Sequence, residues 1–147
     1  MAFHSVFLVF LAGLAFFSEA TPPDSDDSKH PLFIKILDSV RGSPAQNVLL
    51  KLYKEDADGA WQLLNSKQTD DNGESQELTT KEHFAAGIYK IELDTASYWK
   101  RLGLNPFHHY VDVVFTANDS GYRHYSIAVL LSPFSYSIAA VVGDPAK

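Results

Sequence analysis

The sequence predicts an all-β fold, a sandwich or barrel of seven or eight short strands with one short helix, and three observations point to it. Short apolar runs of strand length follow one another at fairly regular spacing through the chain. Clusters of Gly, Pro, Asn and Asp punctuate them. Only one stretch departs from the strand pattern, and no internal repeat is visible.

Residues 31–37 (PLFIKIL) mix apolar side chains with one lysine and read as the first strand. A turn cluster at 41–44 (RGSP) ends it. Residues 47–54 (NVLLKLYK) form the next strand, 56–59 a hairpin turn, and 61–67 the return. Another turn signal stands at 70–73. Residues 87–93 (GIYKIEL) set Ile88, Lys90 and Glu92 on one face and Tyr89, Ile91 and Leu93 on the other. Residues 94–102 (DTASYWKRL) break the alternation. Asp94 or Thr95 can cap a short helix there, and Gly103 stands where it must stop. After the turn at Asn105 and Pro106 come 110–117 (YVDVVFTA), a tight connection at 118–121, and 122–131 (YRHYSIAVLL). Ser132 and Pro133 lead into the last strand, 134–142 (FSYSIAAVV).

Strand parity carries information about partners. In the last strand Phe134, Tyr136, Ile138, Ala140 and Val142 share a plausible core face, and Ser135, Ser137, Ala139 and Val141 share the other. In the strand before it, Ile127, Val129 and Leu131 oppose Ser126, Ala128 and Leu130. In the first, Leu32, Ile34 and Ile36 oppose Phe33, Lys35 and Leu37. The second set in each strand is too apolar, or too small and uncharged, for an ordinary solvated face. Covering both faces internally needs more layers than the chain can build. The alternative, which parity favours, is that one face meets another subunit or a ligand. Lys35 is then the lone charge of that set, a natural handle for an anionic group. The uncharged run 134–142, if it lies at a sheet edge, pairs with another chain or becomes an aggregation hazard.

Composition narrows the function. The chain has 147 residues, 46% hydrophobic and 20% charged, with a formal net charge of −6 and no cysteine. That length suits one domain. The acidic balance argues against a sequence-independent grip on nucleic acid. The lack of cysteine excludes disulfides, thiolate metal sites and a cysteine nucleophile. Residues 1–20 read as a secretory signal peptide: an apolar stretch too short for a comfortable span, then Ser18-Glu19-Ala20. No second long apolar run follows, so no membrane attachment is expected. Residues 21–30 (TPPDSDDSKH) read as a flexible acidic arm, 31–142 as the sandwich domain, and 143–147 as a tail. Adjacent His108 and His109 suggest a metal at first sight, but neighbouring histidines in a strand or loop point apart. Trp61 and Trp99 read as packing residues. Asn118-Asp119-Ser120 is a glycosylation sequon by pattern, in a tight turn that leaves its occupancy open.

Several motifs, taken in order, resemble the transthyretin family: Pro31-Leu32, Lys35, Leu37-Asp38, VRGSPA at 40–45, GIYK at 87–90, SYWK at 97–100, Pro106-Phe107-His108, VVFTANDSG at 113–121 and LLSPFSYS at 130–137. The resemblance implies an eight-stranded sandwich assembled as a homotetramer, a dimer of dimers, in which edge strands around 110–117 and 134–142 pair across each dimer. It implies secretion into plasma and a central channel that binds thyroid hormones, with no cofactor and no metal. By position, Lys35 and Glu74 stand at the channel mouth, with Ser126 near it. Leu37, Ala128, Val129 and Leu130 line pockets for iodinated rings. Ser137, Ala139 and Val141 line the inner part, and Ser137 offers a hydroxyl to the phenolic end. Ala139 stands where this family often has Thr, which removes a hydroxyl from the inner pocket. The resemblance also admits retinol-binding protein as a partner on the tetramer's exterior.

The alternative is 5-hydroxyisourate hydrolase, an enzyme of the same fold. Its water-activating site needs basic residues. It has His at the position of Lys35, Arg at that of Glu74, His at that of Ser126, and a terminal Tyr-Arg-Gly-Ser. Here Tyr136 is followed by Ser137-Ile138-Ala139, and all four features are missing. A binding protein without catalytic residues is therefore expected.

Overall fold

The computed structural model describes residues 30–118 and 123–143. The expected signal peptide, most of the arm and the last four residues lie outside them. Two sheets stack face to face. The first has strand order β2-β1-β8-β9, from β1 (Leu32–Asp38), β2 (Ser43–Pro44), β8 (His124–Leu131) and β9 (Tyr136–Gly143). The short β5 (Glu74–Ser75) also pairs with β1. The second sheet runs β4-β3-β6-β7, from β3 (Leu49–Glu55), β4 (Trp61–Gln68), β6 (Gly87–Leu93) and β7 (Val111–Ala117). β1 and β8 are parallel and every other pairing is antiparallel. The seven strands placed from the sequence are joined by two two-residue strands, β2 and β5.

The core follows parity. Leu32, Ile34 and Ile36 of β1 and Ile127, Val129 and Leu131 of β8 face Leu50 and Leu52 of β3 and Tyr89, Ile91 and Leu93 of β6. Each such side chain, moved fully out of water, contributes about 1.5–3 kcal/mol. That is how one sandwich holds together without disulfides. Trp99 packs into the same core, and Trp61 instead stands over Lys90, whose ammonium is 4.7 Å from its ring centroid.

The helix forms where expected. α1 (Thr95–Arg101) is capped by Asp94, whose Oδ1 accepts from the Ser97 amide at 3.2 Å and whose Oδ2 accepts from the Ser97 hydroxyl at 2.7 Å. It stops at Gly103, whose φ of 76° is the left-handed conformation that a glycine adopts at no steric cost.

Two expectations fail at the last strand. It begins at Tyr136 rather than Phe134, because Phe134 turns away to pack on Phe107 at 5.8 Å between centroids. Its inward set is not core either: Tyr136, Ile138 and Val142 are exposed. The reason is position. β9 is an edge strand that pairs only with β8, and it adds no residue to the buried cluster. The second sheet likewise ends in an open strand, β7.

Candidate functional site

The outer face of the first sheet gathers nine of the ten residues expected to bind ligand. Register orders them in rows. Lys35 of β1 lies beside Ala128 of β8, which lies beside Ala139 of β9, and Glu74 of β5 flanks Lys35 on its other side. One row along, Leu37, Leu130 and Ser137 stand side by side. In the opposite direction lie Phe33, Ser126 and Val141. A flat, mostly apolar floor results, with one pair of opposite charges set into it.

Val129 does not belong to this floor. Its side chain is 1% exposed and sits in the core. Alternation along β8 turns it away from Ala128 and Leu130, so it shows the outer face only backbone. Val141 is also displaced from its expected inner position. It pairs with Ser126 and therefore stands at the Ser126 end of the floor, away from Ser137. Phe33 joins the same row and was not among the expected ligand residues. Its parity with Lys35 and Leu37 was the available signal.

The charged pair is held from both sides. Lys35 Nζ is 3.1 Å from Glu74 Oε1 and donates to the Asn72 carbonyl at 2.7 Å. Both side chains keep about a quarter of their surface in water (28% and 25%), so the pair stabilises the fold little. Its use is to fix where the charges stand. Glu74 owes its place to the 70–74 turn. The Asp70 carboxylate accepts from the Asn72 amide at 2.9 Å and the Glu74 amide at 3.0 Å. Gly73 closes the turn with φ of 70° and gives its carbonyl to the Ile36 amide at 2.8 Å. Any Cβ at Gly73 would collide with the Ile36 carbonyl oxygen, so only glycine permits this approach.

The floor is open in a single chain. Leu37, Leu130 and Val141 are exposed large apolar residues, Val141 by 67%. Ser126 is half-buried, and Ala128, Ser137 and Ala139 are exposed. The charges set into the face are one ammonium and one carboxylate bound to each other. His124 follows the parity of Ser126 and stands one row beyond it, beside Gly143.

The histidines go separate ways. His108 packs edge-on against Phe107 and Tyr136, at 5.0 and 4.9 Å between centroids, and His109 packs against Tyr110. Asn118 is exposed just beyond β7, its amide donating to the Tyr125 hydroxyl oxygen at 2.8 Å. Asp119 and Ser120 of its sequon lie outside the described residues.

Comparison with known proteins supplies a context for this face. A family model described as Transthyretin, HIUase/Transthyretin family, matches residues 32–139. A crystal structure of transthyretin from Sparus aurata is 47% identical and superposes with a TM-score of 0.76, over 78% of this chain and 98% of its own. A crystal structure of sea bream transthyretin in complex with thyroxine is also 47% identical, with a TM-score of 0.75 over 80% of this chain and 99% of its own.

Proposed function

We propose, from the premise that the chain belongs to the HIUase/Transthyretin family, that it is a secreted homotetrameric carrier binding thyroid hormones in a channel between dimers. The observation that carries the reading is the outer floor of the first sheet. It is apolar or small in every row, and its charges are confined to the Lys35–Glu74 pair. A monomer has no reason to expose such a face. Two copies laid floor to floor turn it into a tunnel, and the open edges β7 and β9 supply backbone for pairing between copies. The relative that carries thyroxine supports the choice of ligand.

The hormone is an amino acid bearing two iodinated rings. Its zwitterionic end matches Lys35 and Glu74, which offer one charge of each sign. Leu37, Ala128 and Leu130 receive the rings, and the small Ala128 and Ala139 leave room for iodine. Phe33, Ser126 and Val141 border the mouth. Ser137 offers its hydroxyl to the phenol. Lys35, Glu74 and Ser126, at three of the positions a hydrolase fills with His or Arg, argue against hydrolase chemistry. Residues 1–20 support secretion. Docking of retinol-binding protein on the exterior rests on family membership alone.

Competitive binding of thyroxine and triiodothyronine, with mass measured in the same sample, tests the reading. A tetramer with saturable hormone binding is expected, and 5-hydroxyisourate should decay no faster than it does spontaneously. A stable monomer at micromolar concentration would refute the proposal. Lys35→Ala probes the mouth. It should weaken thyroxine binding by about tenfold, as expected for one charge-assisted contact. It should also flatten the salt dependence of affinity. Unchanged affinity and salt dependence would remove Lys35 from the site.

A further inference from the structure

A cleft of about 250 Å³ opens on the outer face of the second sheet, far from the floor just described. β3, β6, the start of α1 and residues 109–110 surround it. Two lysines line it, Lys51 from β3 and Lys100 from α1. Glu92 of β6 stands beside Lys51 in register and on the same face. Leu49 and the ring of Tyr110 give the cleft an apolar surface.

These charges are uncommitted. Lys35–Glu74 and Arg41–Asp38 are ion pairs elsewhere in the fold. Lys51, Glu92 and Lys100 make no side-chain hydrogen bond or ion pair, although Lys51 and Glu92 are cross-strand neighbours. The other carboxylate in the cleft, Asp94, has both oxygens occupied by Ser97. The free inventory is therefore two ammonium groups, one carboxylate and the His109 imidazole beside the Tyr110 ring. A simple cation would face two like charges. A dianion would face Glu92 and Asp94. A molecule with one carboxylate and one ammonium meets both signs.

We propose that this cleft is a second small-molecule site that takes a zwitterionic aromatic amino acid. Its carboxylate lies between Lys51 and Lys100, its ammonium meets Glu92, and its ring packs on Tyr110 and Leu49. The site shares no residue with the outer floor of the first sheet, but Tyr110 borders the edge segment that pairs between copies under the proposed assembly. Solvent reaches the charged groups, so affinity should be modest, with Kd on the order of 1 mM.

The probe is 4-fluoro-L-phenylalanine, followed by fluorine NMR on the full-length protein and on its Ser137→Trp variant, in which the first-sheet floor is filled; the two should bind alike. Saturable binding is expected. 4-Fluorophenethylamine, which lacks the carboxylate, and the N-acetylated amino acid, which lacks the ammonium, should each bind about tenfold more weakly. The double variant Lys51→Gln/Lys100→Gln should lose about tenfold, while Glu92→Gln should bring the affinity of the N-acetylated probe close to that of the free amino acid. No saturation up to about 10 mM, equal affinity for all three probes, or undiminished binding by the double lysine variant would overturn the proposal.

Discussion

Ser137→Trp is expected to abolish thyroxine uptake while leaving the sandwich folded. Ser137 lies on β9 in register with Leu130, in the row that continues to Leu37. Its side chain is exposed and adds nothing to the buried cluster, so replacing it costs the single chain little. An indole there would fill the space that the small face leaves for an iodinated ring. Overpacking of a closed site cannot be relieved when the facing copy presents the same indole through the same symmetry. The loss should exceed about 100-fold in affinity, or about 2.7 kcal/mol. Mass measurement in the same sample separates a blocked channel from a lost assembly. A tetramer that still binds thyroxine undiminished would remove Ser137 from the site. Ser137→Ala, which keeps the space and loses only the hydroxyl, should fall far short of that effect.

Parity accounts for how much of this site could be read in the sequence. Lys35, Leu37, Ser126, Ala128, Leu130 and Ser137 share the outer face because side chains alternate, and the structure places all of them there. Phe33 obeys the same parity and was overlooked only as a ligand residue. Val129 breaks it, and alternation along β8 alone would have assigned it to the core. Parity names residues that share a face but does not say what covers that face. Phe134, Tyr136, Ile138 and Val142 were therefore expected in the core, and the edge position of β9 leaves them exposed. The two-residue strands β2 and β5 have no period to read. Their positions come from turn geometry: in β5 from the carboxylate of Asp70 and the close approach of Gly73, a contact between segments far apart in the chain.

A buried carboxylate is the feature least visible from sequence, and its removal carries the largest expected cost to stability. Asp38 ends β1 with its side chain turned inward, 1% exposed. A charge so placed is tolerable only when its acceptor sites are filled. The Tyr98 hydroxyl donates to Oδ2 at 2.6 Å and Arg41 Nε donates to the same oxygen at 3.0 Å. The amides of Val40 and Arg41 donate to Oδ1 at 2.8 and 2.9 Å. Arg41 closes the ring of contacts by donating to the Tyr98 oxygen at 2.9 Å. Tyr98 comes from α1, so this network ties the loop after β1 to the helix. Asp38→Ala strands these donors and should cost about 3–5 kcal/mol. Asp38→Asn keeps an acceptor and should cost less, about 1–3 kcal/mol. Chemical denaturation at neutral pH measures both.

The same carboxylate makes that cost depend on pH. Burial pushes the Asp38 pKa up, but the hydrogen bonds from Tyr98, Arg41 and Val40 outweigh it and hold the group below its ordinary value of 3.8. A folded-state pKa lower than the unfolded one adds stability that is complete above the unfolded value. It is lost as pH falls through the folded value. The gap between the natural chain and Asp38→Asn should therefore be widest above about pH 5 and close in strong acid. Tyr98 sets the opposite limit. Burial, and after it the Asp38 carboxylate, hold its phenol above its ordinary 10.0, so its contribution is intact at neutral pH and fades only as pH rises through that raised value. A gap that stays constant from neutral pH into acid would show that Asp38 is not the ionised centre of this network. Because Leu37 immediately precedes Asp38 and stands on the ligand floor, unfastening this loop should also loosen the Leu37–Leu130–Ser137 row. Hormone affinity of Asp38→Asn should then fall with its stability, whereas Ser137→Trp separates the two.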